Sequence, residues 1–183
     1  MIPHPIFWKK TVPYLPEDQA ISTAIFWHLA RIIWAVCELI KETGDFSILE
    51  QRVSWQDGGE ATVLEHVKAA VSCLIRDKGE NGLVKIRFAD WNDALNVTDD
   101  PEAETVMLSH QFCLALRELQ RLMERIGEED YAEFLGREYE TLKAAINERA
   151  WDGDWYARAL SRKGNIGVKD SSGSKIYLNA QTW

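Results

Sequence analysis

Residues 106–126 read VMLSHQFCLALRELQRLMERI. Val106, Leu108, Phe112, Ala115, Leu116, Leu119, Leu122, Met123 and Ile126 recur at steps of three and four, the period of one helical face. Pro101 suits a first helical position, and Glu102 and Glu104 lie on the favourable side of a helix dipole. A helix is therefore expected to begin at Pro101 and to end at Gly127. Working outward, a second pattern covers about 129–149 on Tyr131, Phe134, Leu135, Tyr139, Leu142, Ala145 and Ile146. Upstream, Glu17 and Asp18 open a long helix carrying Ile25, Leu29, Ile32, Ile33, Val36, Leu39 and Ile40, with Gly44 as its cap. Asp45 and Ser47 suit a short helical turn into Ile48 and Leu49. Another helix is expected over about 60–77, after a loop at 52–59. Pro3, Pro5, Pro13 and Pro16 make residues 1–16 an extended arm. Residues 83–88 alternate apolar and basic, as a short strand or an extended entry would. Beyond Trp151, short segments between Gly-rich turns resemble small hairpins. Long helices joined by turns give an all-α body, and their spacing of about 40 residues suits stacked helical hairpins, as in an α/α barrel or solenoid.

The composition narrows the function classes. Hydrophobic residues make up 46% of the 183 and charged residues 27%, which is globular rather than disordered. No apolar run approaches the roughly 20 residues of a membrane span, and no signal-peptide order opens the chain. A net charge of -8 argues against nucleic acid as the main partner, since phosphate binding wants clustered Lys and Arg. Cys37, Cys73 and Cys113 form no C-x-x-C pair and sit in apolar helical stretches, as small buried hydrophobes of a reducing compartment do. His4, His28, His66 and His110 are dispersed, so no metal site is expected, and the glycines at 164, 167 and 173 lack phosphate-loop spacing. The eight tryptophans are an excess. Several occupy polar contexts beside carboxylates, where indole faces suit sugar rings.

The densest chemistry is Arg87-Phe88-Ala89-Asp90-Trp91-Asn92-Asp93-Ala94-Leu95-Asn96, between two strong helical patterns. Loops on a rigid scaffold are where sites concentrate. If the stretch is extended, Trp91 and Asp93 share a face, and a sugar stacked on the indole would offer its glycosidic oxygen to the carboxyl group. If it is a helical turn, Asp90 and Asp93 share a face instead. An apolar wall such as Trp91 and a neighbouring acid such as Asp90 raise a carboxyl's pKa toward what a general acid needs. The same residues also read as a capping and turn cluster, because Asp and Asn favour both. A second cluster, Trp151-Asp152-Gly153-Asp154-Trp155-Tyr156-Ala157-Arg158, reads first as a turn. Its aromatics also permit a part in lining a sugar site.

At Ala89-Asp90-Trp91-Asn92-Asp93 the chain resembles the cellobiose and chitobiose phosphorylases of glycoside hydrolase family 94, the inverting glycoside phosphorylases. Residues 35–49, Glu60 to His66, Glu102-Ala103-Glu104-Thr105-Val106, Ala150 to Tyr156 and Asn179 to Trp183 are similar to further family segments in the same order. The resemblance covers about residues 30–183. It implies that residues 17–183 are part of an (α/α)6-barrel catalytic domain, with small β-hairpin insertions near the C-terminus. It implies reversible phosphorolysis of a β-linked disaccharide or oligosaccharide to an α-sugar 1-phosphate, with inorganic phosphate as co-substrate and no cofactor. Asp93 takes the general-acid role and Trp91 a wall of the subsite for the transferred sugar. Asp90 and Asn92 carry over as motif members, and with Arg87 they complete the candidate substrate-binding set. The resemblance further implies a cytoplasmic enzyme whose full-length members are homodimers.

The family's phosphate-binding His and Thr-Gly segments have no counterpart here, nor does its upstream Arg-Asp loop or β-sandwich domain. The chain by itself is therefore expected to be an inactive piece of the enzyme. Two other readings stand beside this one. One is an inverting hydrolase or transferase on the same barrel, with Glu104 or Asp154 as the second carboxylate. The other is a non-catalytic carbohydrate-binding helical remnant. A partial barrel would expose apolar helix faces, so self-association is also expected.

Overall fold

A computed structural model describes residues 23–55, 58–87, 90, 95 and 99–183, with side chains from residue 28 onward. The arm expected at 1–16 and the helix start at Glu17 lie outside the described residues. Among the described residues four helices dominate: α1 (Thr23–Thr43), α2 (Val63–Arg76), α3 (Val106–Ile126) and α4 (Glu129–Arg149). Two small antiparallel sheets join β1 (Arg52–Ser54) to β2 (Glu60–Thr62) and β3 (Glu104–Thr105) to β4 (Ala159–Leu160). The described part of the chain is thus mostly helical. Among the described residues no helix is long and apolar enough to cross a membrane.

Helical spacing decides what each helix buries. Ala30, Ile33, Cys37 and Ile40 face inward from α1, and Val67, Ala70, Val71 and Leu74 from α2. Ala132, Leu135, Leu142 and Ile146 do so from α4. These stripes meet in one continuous core with Phe112, Ala115, Leu116, Leu119 and Met123 of α3. Helix α3 packs most extensively on α4 and next on α1, and α1 also packs on α2. The α3–α4 turn is made at Gly127, whose φ of 80° is left-handed and lets its N–H reach back to the Glu124 carbonyl.

Three local expectations need correction. Residues 52–59 are not simply a loop. Arg52–Ser54 pairs with Glu60–Thr62, with Arg52 opposite Thr62, and Trp55 N–H donates to the Gly59 carbonyl at 2.9 Å. The expected helix start near residue 60 moves to Val63, because Thr62 is both the last strand residue and the N-cap. Its hydroxyl accepts from Glu65 N–H while the Glu65 carboxylate accepts from Thr62 N–H at 2.7 Å.

Helix α3 begins at Val106 and not at Pro101. Asp100 to Ala103 is a turn, closed by Ala103 N–H on the Asp100 carbonyl at 3.1 Å, with Pro in its second position. Glu104 and Thr105 are then held in extended form by Ala159 and Leu160 on one side and by Lys85 on the other. Helix formation waits for Thr105, whose hydroxyl caps Leu108 N–H. The same strand-to-helix device, a Thr followed by Val, thus opens both α2 and α3.

The C-terminal hairpins are partly as expected. Trp151 pairs with Tyr156 across the Asp152-Gly153 turn, and Ala159 pairs with Ile166. The segment Lys175-Ile176-Tyr177-Leu178, expected as part of a hairpin, forms no strand, and Leu178–Ala180 is a single 3-10 turn.

Candidate active site

The short segments around 84–86, β3, β4 and Ile166 form a small antiparallel platform at the N-terminus of α3. Segment 87–100 leaves this platform after Ile86, whose N–H donates to the Ala103 carbonyl at 2.7 Å. Within the segment, Arg87, Asp90, Leu95, Asp99 and Asp100 are described. The candidate acid Asp93 and the candidate sugar-binding residues Trp91 and Asn92 lie outside the described residues.

Four described residues tie the segment down. Arg87 adopts a φ of 58°, unusual for a side chain this large, and its guanidinium pairs with Asp77 through Nε at 3.0 Å. Asp90 points into the protein. Arg158 Nη2 donates to both its carboxylate oxygens, at 2.5 and 2.6 Å, and the Thr105 hydroxyl donates to Oδ2 at 2.6 Å. The Arg158 and Asp90 side chains are 0% and 1% exposed. Leu95 is buried in a small apolar cluster with Ile86, Ala103, Ala159 and Ile166. Asp100 accepts from the Ser161 hydroxyl at 2.7 Å and from Arg162 N–H at 2.8 Å. The Ser161 bond leads in holding the Asp100 carboxyl below its ordinary range, against the opposing effect of burial.

Thr105 is the junction of this network. Its one hydroxyl proton goes to Asp90, while its oxygen accepts from Arg158 Nη1 at 3.2 Å and from Leu108 N–H at 3.4 Å. Arg158 is seated by its own N–H, which donates to the Ile166 carbonyl at 2.7 Å. Gly167 makes that approach possible: a Cβ there would lie 2.9 Å from both Arg158 N and Arg158 Cβ.

Of the candidate substrate-binding residues, Arg87 and Asp90 thus have protein partners. The two carboxylates that the hydrolase reading would use to activate water are also placed. Glu104 is buried, its Oε1 accepts from Asn81 N–H at 3.0 Å, and burial raises its pKa. Asp154 is exposed and paired with Lys169 at 2.8 Å. The second aromatic cluster is built as a turn. Asp152 accepts from Lys169 N–H at 2.6 Å, and the Trp155 indole donates to the Gly167 carbonyl at 3.0 Å.

The sequence names Arg158 only as the end of the second aromatic cluster and Thr105 only within a family-like segment, without this role for either, and it does not single out Asp77. Arg158 had a signal, since it is the one cation in 151–160. Among the described residues no cluster of His, Cys, Asp and Glu could hold a metal ion.

The family model described as "Glycosyl hydrolase 94 superfamily, catalytic domain" matches residues 17–183. The chain is 39% identical over 147 residues to a solabiose phosphorylase of Paenibacillus borealis, covering 79% of this chain and 19% of the relative. It is 32% identical over 154 residues to an N,N'-diacetylchitobiose phosphorylase of Vibrio proteolyticus, covering 82% and 19%. It is 29% identical over 161 residues to a cellobionic acid phosphorylase of Neurospora crassa, covering 85% and 20%. This chain belongs to the glycoside hydrolase 94 family, as part of its catalytic domain, and it spans about a fifth of the length of these relatives.

Proposed function

We propose that this chain supplies the general-acid segment of a glycoside phosphorylase. The reaction is reversible cleavage of a β-linked disaccharide or oligosaccharide by inorganic phosphate, giving an α-sugar 1-phosphate. The observation that carries this reading is the family match from residue 17 to 183, with relatives that are named phosphorylases of different disaccharides. In this reading the helices belong to an (α/α)6 barrel, and the enzyme acts in the cytoplasm.

The chemistry assigns one carboxyl group. Phosphate attacks C1 of the transferred sugar from the face opposite the leaving group as the glycosidic C–O bond breaks. Asp93 gives its proton to the departing oxygen. In reverse, the Asp93 carboxylate takes the proton of the acceptor hydroxyl while phosphate leaves C1. An inverting hydrolase needs a second carboxylate to activate water. Phosphate is already an anionic nucleophile, and a second carboxylate would repel it. The placements of Glu104, buried and engaged, and of Asp154, exposed and paired, favour phosphorolysis over the hydrolase reading, because neither internal candidate stands ready as a base. Trp91 and Asn92 take the sugar. Arg87 and Asp90 serve by holding the segment in place.

The test replaces the matching 147 residues of the Paenibacillus borealis solabiose phosphorylase with the residues of this chain that match them. Solabiose cleavage that depends on phosphate, and that falls by about 10²–10⁴ with Asp93→Asn, is expected. Phosphate-independent sugar release would favour the hydrolase reading, and full activity of the Asp93→Asn hybrid would refute the assignment. The chain alone, given cellobiose and phosphate, is expected to show no turnover.

A further inference from the structure

We infer that Arg158 is a positioning residue, a buried clamp that fixes the chain at Asp90 and so sets where the chemistry of residues 91–93 takes place. This rests on the phosphorylase reading for its purpose, though not for its geometry.

The first ground is energetic. A fully buried ion pair gains little stability over well-packed apolar residues of the same size, because both charges lose their water. Stability alone therefore does not account for an Arg and an Asp at 0% and 1% exposure. What the pair supplies is direction. Arg158 Nη2 reaches both Asp90 oxygens, at 2.5 and 2.6 Å, while Nη1 reaches Thr105 at 3.2 Å. A planar fork fixes an orientation that a lysine's point charge does not.

The second ground is reach. Asp90 and Asp93 are three residues apart, so their Cα atoms are at most about 11 Å apart, given roughly 3.3–3.6 Å per extended residue. A fixed Asp90 confines the candidate acid to that radius. The remaining anchors act in the same sense: Arg87 on Asp77 before it, and Leu95 and Asp100 after it.

The third ground is the source of the anchors. Arg158, Ala159, Ser161 and Arg162 all come from one strand and its turn. Gly167 leaves room for that strand to be held from behind. The second aromatic cluster therefore leads into the support of the site.

The test uses the 183-residue chain with three changes: Arg158→Lys, Asp90→Asn, and the double variant Asp90→Leu with Arg158→Met. Two readouts are taken with thermal melting: segment-resolved amide exchange and the indole N–H resonance of Trp91, assigned through Trp91→Phe. The double variant is expected to melt close to the parent, since both buried charges are removed together. Amides of Ile86, Leu95 and Ala103 should nonetheless exchange at least ~10-fold faster, with those of Leu116, Leu119 and Leu135 changing less than ~3-fold. The Trp91 indole signal should shift or broaden while that of Trp155 stays in place. Arg158→Lys should fall between parent and double variant. Where a single variant does not fold, the double variant decides. Unchanged exchange at 86–103, an equal rise in every element, or an unmoved Trp91 signal overturns the clamp. The phosphorylase reading fails separately, through an active Asp93→Asn hybrid.

Discussion

Thr105 makes the sharpest residue-scale prediction, because one hydroxyl caps α3, donates to Asp90 and accepts from Arg158. Thr105→Val keeps the shape and removes all three bonds. A lost cap costs about 1 kcal/mol and a buried group left unpaired about 1–3 kcal/mol, so a loss of about 2–4 kcal/mol is expected in denaturant unfolding. Thr105→Ser should stay within about 1 kcal/mol of the parent. Equal stability of the Val variant would show that the network contributes nothing.

Glu104 gives a pH prediction. Burial raises its carboxyl above the ordinary 4.5, so the folded chain keeps this proton to higher pH than the unfolded one. The stability it contributes is full below the ordinary value and is lost as pH rises through the raised one. Glu104→Gln should therefore melt above the parent at neutral pH, with the gap closing toward about pH 4. A gap independent of pH would contradict this. The thiols offer a third check. Burial pushes Cys37 and Cys113 up to about 12 and Cys73 in the same direction. All three should resist alkylation in the folded chain at mildly alkaline pH and react once it is denatured.

At the scale of elements, the α3–α4 turn depends on one backbone angle. Nothing lies within 4 Å of where a Cβ on Gly127 would sit, so Gly127→Ala meets only the cost of a left-handed φ of 80°. A loss of about 1 kcal/mol is expected in thermal melting, and less for Gly127→Asn. Helix α4 was legible from periodicity to within its ends, since no competing structure claims its termini. The start of α3 was not. Pro101 and two acids are good helix openers, but Glu104 and Thr105 are claimed by strands about 20 residues upstream and 55 downstream, and no local pattern reveals a distant partner. The β1–β2 hairpin was missed for a related reason, as its strands are three residues long and mostly exposed. The candidate site divides in the same way. Its candidate residues stand out as a dense polar motif, whereas the groups that hold the described part of the segment are scattered from the Asp77 side chain to the Arg162 backbone N–H.

At the scale of the molecule, the outer face of α1 carries exposed apolar side chains among the described residues. Ile32 and Leu39, one heptad apart, are each 47% exposed, and beyond the helix Phe46 and Val53 are exposed as well. Phe46 also lines a groove of about 620 Å³ between α1 and α3, together with Ile40 and Leu122, with Lys41 and Glu118 in contact across it. Such surfaces associate. Sedimentation of the purified chain should show mass rising with concentration, reduced by Ile32→Lys with Leu39→Lys. A single monomeric species at every concentration would refute this.

The clamp also has a temporal side. Asp90 and Arg158 are 68 positions apart in the chain. A ribosome adding about 5–20 residues per second needs several seconds between making the one and making the other. Throughout that interval a nascent carboxylate destined for burial stays wet, and the motif beside it has nothing to lean on. Synthesis must therefore pass beyond the α3–α4 hairpin before Asp90 can be anchored, so ribosome-bound chains arrested ahead of residue 158 should remain open to proteases around it.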